Sequence, residues 1–206
     1  MILQSFSHLF RTRRHKLGPL NTLVEGPPPR IIDIGGDPHF WRIQSFHGSV
    51  VCLNILPQSA PADPRIRCVV GDARDLRDFK DGEFDVAVSN SLIEHVGSWR
   101  DQQCCAREIR RVARSYYVQT PNRLFPVEPH FAFPGLQFLA LPIRRSVAAH
   151  WPFGFVRGPA SKRIAELDSM RLLDEREMRL LFPDALVWRE RLFGLTKSLI
   201  AYRSPA

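Results

Sequence analysis

An aspartate, Asp33, stands two residues ahead of a glycine pair, Gly35 and Gly36, at the end of the β-branched run Ile31-Ile32. Glycine lets a backbone approach a ligand closely, and the free N–H groups of a turn that opens a helix face anionic or polar ligand groups. Other polar residues end other apolar runs: Asn54 after Val50–Leu53, Asp72 after Val69-Val70-Gly71, Asn90 and Ser91 after Val86–Val88, and Asn122 after Tyr116–Val118. Farther on, Glu128 and His130 flank Pro129 in a segment stiffened by Pro121, Pro126 and Pro129. A neutral imidazole held there can take the proton of a hydroxyl that attacks an electrophile.

These residues need elements that bring them together. Arg30–Ile34 reads as a buried strand, and the glycine pair as a tight turn. A helix is expected from Pro38, with Phe40, Ile43 and Phe46 or His47 at helical spacing. Ser49–Ile55, Arg67–Val70, Val86–Ser89 and Tyr116–Gln119 read as further strands, with a loop through the proline-rich stretch from Pro57 to Pro64. Residues 75–79 suggest a short helix or turn, and 99–113 a helix with Cys105, Ile109 and Val112 on one face. Asp174 and Glu177 form a capping box. Ala185–Leu192 and Ser198–Tyr202 then close the sheet as a hairpin around Phe193–Lys197. Alternating strands and helices predict an α/β fold with a doubly wound, mostly parallel sheet. Ligands of such sheets bind beyond the carboxyl ends of the strands, so the scattered polar residues converge on one rim.

Two cofactor classes use a glycine corner of this kind. Dinucleotide enzymes want G-x-G-x-x-G, whereas this chain has Gly35-Gly36 followed by Asp37-Pro38. The second class is S-adenosylmethionine. Ile31–Gly36, Asn54, Gly71-Asp72-Ala73 and Phe84–Val96 (with Glu94-His95) occur in an order and spacing that resembles the class I S-adenosylmethionine-dependent methyltransferases of the type 11 group, over residues 30–122. The resemblance implies a Rossmann-like methyltransferase fold with an antiparallel last strand. It implies that Asp33, Gly35 and Gly36 lie at the methionine part of the cofactor, Asn54 at the ribose, Asp72 and Ala73 at the adenine, and Asn90 and Ser91 beside the sulfonium. The chain departs from the pattern twice: Asn54 replaces an acidic residue, and Asp37 replaces a further glycine, where it either meets the cofactor's ammonium group or caps the following helix. A related group, the metal-dependent small-RNA 2′-O-methyltransferases, uses Glu-x-x-Glu-His with a later histidine as ligands. Ser91 stands in place of the first glutamate, so no metal is expected. Base-modifying enzymes carry motifs such as Asn-Pro-Pro-Tyr after the fourth strand, where this chain has Ser89-Asn90-Ser91-Leu92, which argues against a nucleic-acid substrate.

The whole chain of 206 residues reads as one methyltransferase domain: a basic amphipathic segment at 1–29, the cofactor-binding core at 30–122, an apolar substrate cap at 123–170, and a C-terminal helix and strand pair at 171–206. The start, residues 1–17, reads as a short amphipathic helix, either a lid or membrane-surface anchor, or a helix packed on the domain. The cap is aromatic and proline-broken, from Phe131 to Phe155, with Arg144-Arg145 within it. It suits an apolar small-molecule or lipid-linked hydroxyl acceptor, membrane-surface contact, or an ordinary helical cap with its own core. The net charge of +8 fits an acidic partner, a phosphate-rich ligand, an anionic surface, or simply an arginine-rich composition. Four cysteines without a C-x-x-C pair, and no bilayer-spanning or secretory stretch, point to reduced thiols in a cytoplasmic protein, possible contact with the inner membrane face aside. With Glu128 and His130 as the catalytic candidates, the expected activity is methyl transfer to an oxygen. A non-catalytic binding module of the same fold and a nucleic-acid methyltransferase are the alternatives.

Overall fold

The structure, a computed structural model, describes residues 19–24, 27–42, 48–59 and 62–204. The amphipathic segment up to Leu17 and the helical positions Ile43, Phe46 and His47 lie outside the described residues. Seven strands form one sheet in the order β3-β2-β1-β4-β5-β9-β8: β1 (Arg30–Ile34), β2 (Ser49–Asn54), β3 (Ile66–Val70), β4 (Phe84–Asn90), β5 (Ala113–Pro121), β8 (Leu186–Leu192) and β9 (Leu195–Arg203). β1 to β5 pair in parallel, and β9 inserts antiparallel between β5 and β8. The doubly wound sheet with one antiparallel strand is therefore as expected.

Helices cover both faces, which is why the central strands read as near-continuous apolar runs instead of alternating ones. Neighbouring residues nonetheless serve different cores. Ile32 and Ile34 pack with Leu53, Ile93, Cys105, Ile109, Val112 and Phe182. Ile31 packs on the opposite face with Val50, Cys52, Val88 and Trp41, together with Leu20 and Leu23 of the short helix α1 (Pro19–Leu23). A second short helix, α2 (Pro38–Arg42), follows the glycine corner. The longest helix, α3 (Trp99–Val112), opens on a capping box made by Ser98 and Asp101.

Several boundaries differ from the sequence reading. Of the two readings for residues 75–79, a short helix or a turn, the structure has the turn. The helix expected to Ala113 stops at Val112, because Ala113 is already extended (φ −132°, ψ 148°) and starts β5. The closing hairpin has a two-residue turn, Phe193-Gly194, in place of the expected five-residue loop. Both residues have positive φ (50° and 80°), the geometry that matches the twist of a tight hairpin. β9 consequently starts at Leu195 and β8 takes up a bulge between Glu190 and Arg191.

Residues 123–170 lie over the carboxyl end of the sheet's second half. They hold a two-stranded ribbon, β6 (Val127–Glu128) with β7 (Phe133–Pro134), and two helices, α4 (Leu141–His150) and α5 (Ala160–Ser169). Phe131, Leu136, Ala148 and Leu167 give this segment a small core of its own. The predicted capping box is present at the start of α6 (Glu175–Leu181), and Asp174 also pairs with Arg123.

One buried side chain ties the start of the C-terminal segment to the core. Gln102, fully buried on α3, donates from Nε2 to the carbonyls of Ile93 (3.0 Å) and Arg171 (2.8 Å), and its Oε1 accepts from Arg171 Nη1 at 2.8 Å. Leucine at this position would fit the volume but leave two buried carbonyls without a donor. Gln102→Leu is expected to lower stability by about 1–3 kcal/mol, read as a shift of the urea midpoint at unchanged slope.

Candidate active site

The sheet order reverses between β1 and β4, and the glycine corner leaves β1 at that point. Gly35 has φ +79°, and a Cβ on it would come within 2.8 Å of Leu92 Cδ1. At Gly36 a Cβ would overlap the Asp33 carboxyl, at 1.9 Å from Oδ2. Packing thus demands both glycines, and the positive φ adds to the demand at Gly35. Asp33 itself is buried and accepts a hydrogen bond from Trp41 Nε1 at 2.6 Å. Burial raises its pKa to about 7; the Trp41 bond works against this and the nearby Asp37 charge adds to it. Asp37 caps the next helix, accepting the His39 N–H at 2.8 Å.

Asn54, at the end of β2, donates from Nδ2 to the Gly36 carbonyl at 2.7 Å, and Gln58 Nε2 reaches the same oxygen at 3.1 Å. Asn54 therefore braces the corner and keeps Oδ1 as an acceptor. Asp72 follows β3 and caps its own turn by accepting the Arg74 N–H at 2.9 Å. Its carboxylate is also gripped by the Arg74 guanidinium at 2.6–3.0 Å, a pairing that lowers its pKa and that the sequence reading did not foresee. Ala73 is turned into the core beside it. Asn90 ends β4, and Ser91 takes a left-handed conformation (φ 56°), its Oγ bonded to Gln119 Oε1 at 2.8 Å. A non-glycine residue held in that region is strain of the kind that collects at functional sites. Asp33, Gly35, Gly36, Asn54, Asp72, Ala73, Asn90 and Ser91 all lie at or just past the carboxyl ends of β1 to β4.

His130 and Glu128 meet as a pair. Glu128 is buried and accepts the Phe131 N–H at 2.8 Å through Oε2, while its Oε1 lies 2.6 Å from His130 Nδ1. A carboxylate can only accept there, so Nδ1 carries the proton and the neutral ring has its lone pair on Nε2. Burial opposes the imidazolium, but the Glu128 bond and the charges of Glu128, Glu94 and Glu166 outweigh it, and the His130 pKa is raised.

The structure also assembles residues whose grouping the sequence reading missed. Glu94 and His95, on the 3-10 turn Ile93–His95 after β4, face His130, and the two imidazoles meet edge to face with centroids 5.0 Å apart. Glu94 is fully buried; its Oε2 accepts from Thr120 Oγ1 of β5 at 2.9 Å. Burial raises the Glu94 pKa, and burial with the nearby His130 lowers that of His95. The adjacency of Glu94 and His95 was visible in the chain, but the 35-residue gap to His130 hid the cluster.

Residues 40–116 match the family described as a methyltransferase domain. The match gives this stretch a methyltransferase domain, in line with the motif set and sheet order that resemble the class I S-adenosylmethionine-dependent methyltransferases of the type 11 group. The protein is a methyl-transferring enzyme with S-adenosylmethionine as cofactor. Solved structures show the same fold. A methyltransferase from Methanosarcina mazei aligns over 91% of this chain and 98% of its own, at 16% identity and TM-score 0.54. An O-methyltransferase family protein from Burkholderia thailandensis aligns over 99% and 59%, at 13% identity and TM-score 0.59. A Rhodobacter sphaeroides protein described as a zinc-dependent alcohol dehydrogenase aligns over 90% and 88%, at 11% identity and TM-score 0.59. At such identities the likeness is one of fold, and the dehydrogenase description transfers nothing. No curated protein matches the sequence.

The Asp33 carboxyl gives a pH prediction. Its folded pKa, about 7, lies above the ordinary 3.8. Between these values the folded chain keeps a proton that the unfolded chain releases. The resulting stabilisation is complete below the lower value, falls as pH rises towards 7, and is absent above it. At roughly 1.4 kcal/mol per pH unit the loss is about 4 kcal/mol. Asp33→Asn removes the titration, so the difference in urea stability between native chain and variant should change steadily across this window and flatten above it.

Proposed function

We propose that this protein transfers the methyl group of S-adenosylmethionine to an oxygen of a small-molecule or lipid-linked hydroxyl acceptor. The observation that carries the reading is the pair of buried Glu128 and part-buried His130, fixed in tautomer and packed against His95 on the turn that follows β4.

The residues present fit the cofactor. Asp33 is a desolvated carboxyl beneath the glycine corner, an environment relieved by a nearby positive charge, and S-adenosylmethionine carries an ammonium and a sulfonium. Asn54 Oδ1 suits a ribose hydroxyl. Ile55, Leu56 and Val70, beside Asn54 and Gly71-Asp72, are exposed apolar side chains at 61–71%, which a flat adenine ring would cover. Asp72 would receive the adenine amino group only by sharing oxygens that now accept from Arg74.

When bound, the cofactor supplies an electrophilic methyl carbon whose bond to sulfur breaks with the electron pair leaving on sulfur. The chain's own contribution is positioning and proton removal. His130 Nε2 takes the hydroxyl proton as the acceptor oxygen attacks, and Glu128 holds the imidazolium that results. The cap over this rim supplies apolar walls from Phe131 to Phe155, and Leu124, Phe138, Leu141, Ile143 and Phe155 remain exposed on it. Arg145, a candidate for lipid phosphate, is held by Asp168 at 2.9 Å. Many other arginines sit in local ion pairs, among them Arg77, Arg110, Arg111, Arg179, Arg189 and Arg203. This favours the arginine-rich reading of the net charge over a nucleic-acid surface.

Calorimetric titration should show S-adenosylmethionine binding, and Asp72→Ala should weaken it by about 1–3 kcal/mol. Absence of binding at millimolar cofactor would remove the proposal. With a panel of hydroxyl acceptors and radiolabelled methyl donor, His130→Ala should lower turnover by roughly a hundredfold or more at unchanged cofactor affinity. Transfer to nitrogen acceptors alone, or normal turnover of the variant, would overturn the oxygen assignment.

A further inference from the structure

The sequence reading expected no metal, because Ser91 replaces a glutamate. Ser91 is indeed committed elsewhere, to Gln119. The folded chain nevertheless gathers Glu94, His95 and His130 so that one ligand atom of each lies within 4.8 Å of the others. We infer that these three side chains form a binding site for one divalent transition-metal cation of the zinc class, with a fourth coordination position open on the cofactor rim.

Three independent features of the cluster point the same way. The first is an unanswered charge. Glu94 is fully buried, and while Oε2 accepts from Thr120, Oε1 has no hydrogen-bond partner among the described residues. It is aimed into the cluster, 4.0 Å from His95 Nε2. A buried carboxylate oxygen without a partner is costly, and a cation between it and the imidazoles would satisfy it.

The second is the outer shell. Metal-binding histidines typically give their other ring N–H to a carboxylate, which fixes the tautomer and orients the ring. His130 does so from Nδ1 to Glu128 at 2.6 Å, and Glu128 is in turn anchored by the Phe131 N–H. His95 Nδ1 faces Glu166 Oε1 at 3.6 Å, from α5. His130 therefore retains its lone pair on Nε2, and in His95 it is Nε2 that faces Glu94. Such paired outer carboxylates have no evident purpose if the histidines are merely packed.

The third is the donor set and its access. Two imidazoles and one carboxylate suit zinc and its neighbours, whereas magnesium and calcium favour oxygen ligands. Bonds of about 2.0–2.2 Å to a tetrahedral ion place ligand atoms roughly 3.3–3.5 Å apart, so a closure of at most about 1.5 Å from separations within 4.8 Å suffices. The His95 and His130 side chains are 25% and 15% exposed, against 0% for Glu94, so the cluster is closed from below and open on the histidine side. A water or acceptor hydroxyl oxygen can enter there. Bound to the cation, a hydroxyl becomes more acidic and releases its proton to solvent, in which case His130 acts as a ligand in the loaded protein and as the base in the metal-free one. That role rests on the methyl-transfer reading; the existence of the site does not.

The test uses the full chain after dialysis against a chelator, titrated with Co²⁺ and with Zn²⁺ by calorimetry and visible absorption. One cation per chain is expected, with the d–d absorption of a low-coordinate nitrogen and oxygen site. Glu94→Gln and His95→Ala should each weaken binding by at least a hundredfold, and Glu128→Gln by roughly 10–100-fold. Circular dichroism and cofactor titration on the same samples report folding, and His95, being partly exposed, is the variant that can lose a ligand without losing the core. No binding at millimolar cation, equal affinity in Glu94→Gln and His95→Ala, or a thiolate-to-cobalt charge-transfer band assigning the ion to cysteine would overturn the inference. Cation binding without cofactor binding would sink the methyltransferase reading and leave this one standing; the reverse result would do the opposite.

Discussion

Ile31, Ile32 and Asp33 pair in parallel with Val50, Val51 and Cys52 on one side and with Val86, Ala87 and Val88 on the other. The chain's order along the sheet reverses across this strand, and the site depends on that reversal. Crossovers leave β1 and β4 towards opposite ends of the sheet, so the two connections part and a crevice opens above them. Because β1 to β5 share one direction, the residues that end them share one rim. A polar residue one step past a strand end costs little, since it meets solvent or a ligand, while one step earlier it would enter a core in which Ile31, Ile32 and Ile34 are fully buried.

The rim is divided electrostatically. At the β1–β3 side, the exposed acids are answered locally: Asp72 by Arg74 and Asp75 by Arg77. Such partly exposed pairs contribute little to stability, but they keep the surface from presenting bare carboxylates. Beneath the rim the pattern differs. Asp33 and Glu94 are buried acids with raised pKa values that accept side-chain hydrogen bonds from Trp41 and from Thr120 respectively. Buried acids of this kind are poorly explained by stability, because apolar residues would serve the core better. Both lie at the carboxyl-end side of the sheet, one under the glycine corner and one beside His130.

The segment that follows the cap holds the second of these acids in place. Arg171 accepts the geometry of both halves: its N–H donates to the Glu94 carbonyl at 2.8 Å, its guanidinium reaches Gln102 and Glu177, and it lies over the Trp99 ring at 4.8 Å. The turn carrying Glu94 and His95 is thus fastened from α3 below and from the segment before α6 above. Phe131, whose N–H fixes Glu128, is itself fully buried in the cap's own core. Positions of His95 and His130 are therefore set by two different packing units, which meet only when the chain is folded.

Much of this was legible in the residues themselves. The strand cores, the glycine corner, the helix through Cys105, Ile109 and Val112, and the Asp174–Glu177 capping box are local patterns, and local patterns survive without knowledge of the fold. The alternation of strands and helices then implied a parallel sheet, and with it the convergence of Asp33, Asn54, Asp72 and Asn90. Partners at long range were not legible. Arg74 closing on Asp72 is two residues away but depends on rotamer and turn, and Trp41 reaching Asp33 depends on which face of β1 each residue takes. The two-residue turn at Phe193-Gly194 was hidden because phenylalanine rarely adopts positive φ, so only the strand pairing around it reveals the tight hairpin. The clustering of Glu94, His95, Glu128, His130 and Glu166 belongs wholly to the tertiary structure. Sequence determines which groups can titrate or ligate, since that is a property of single side chains. Whether three of them point their lone pairs at one another depends on how the cap folds back across the ends of β4 and β5, and that is decided only by packing.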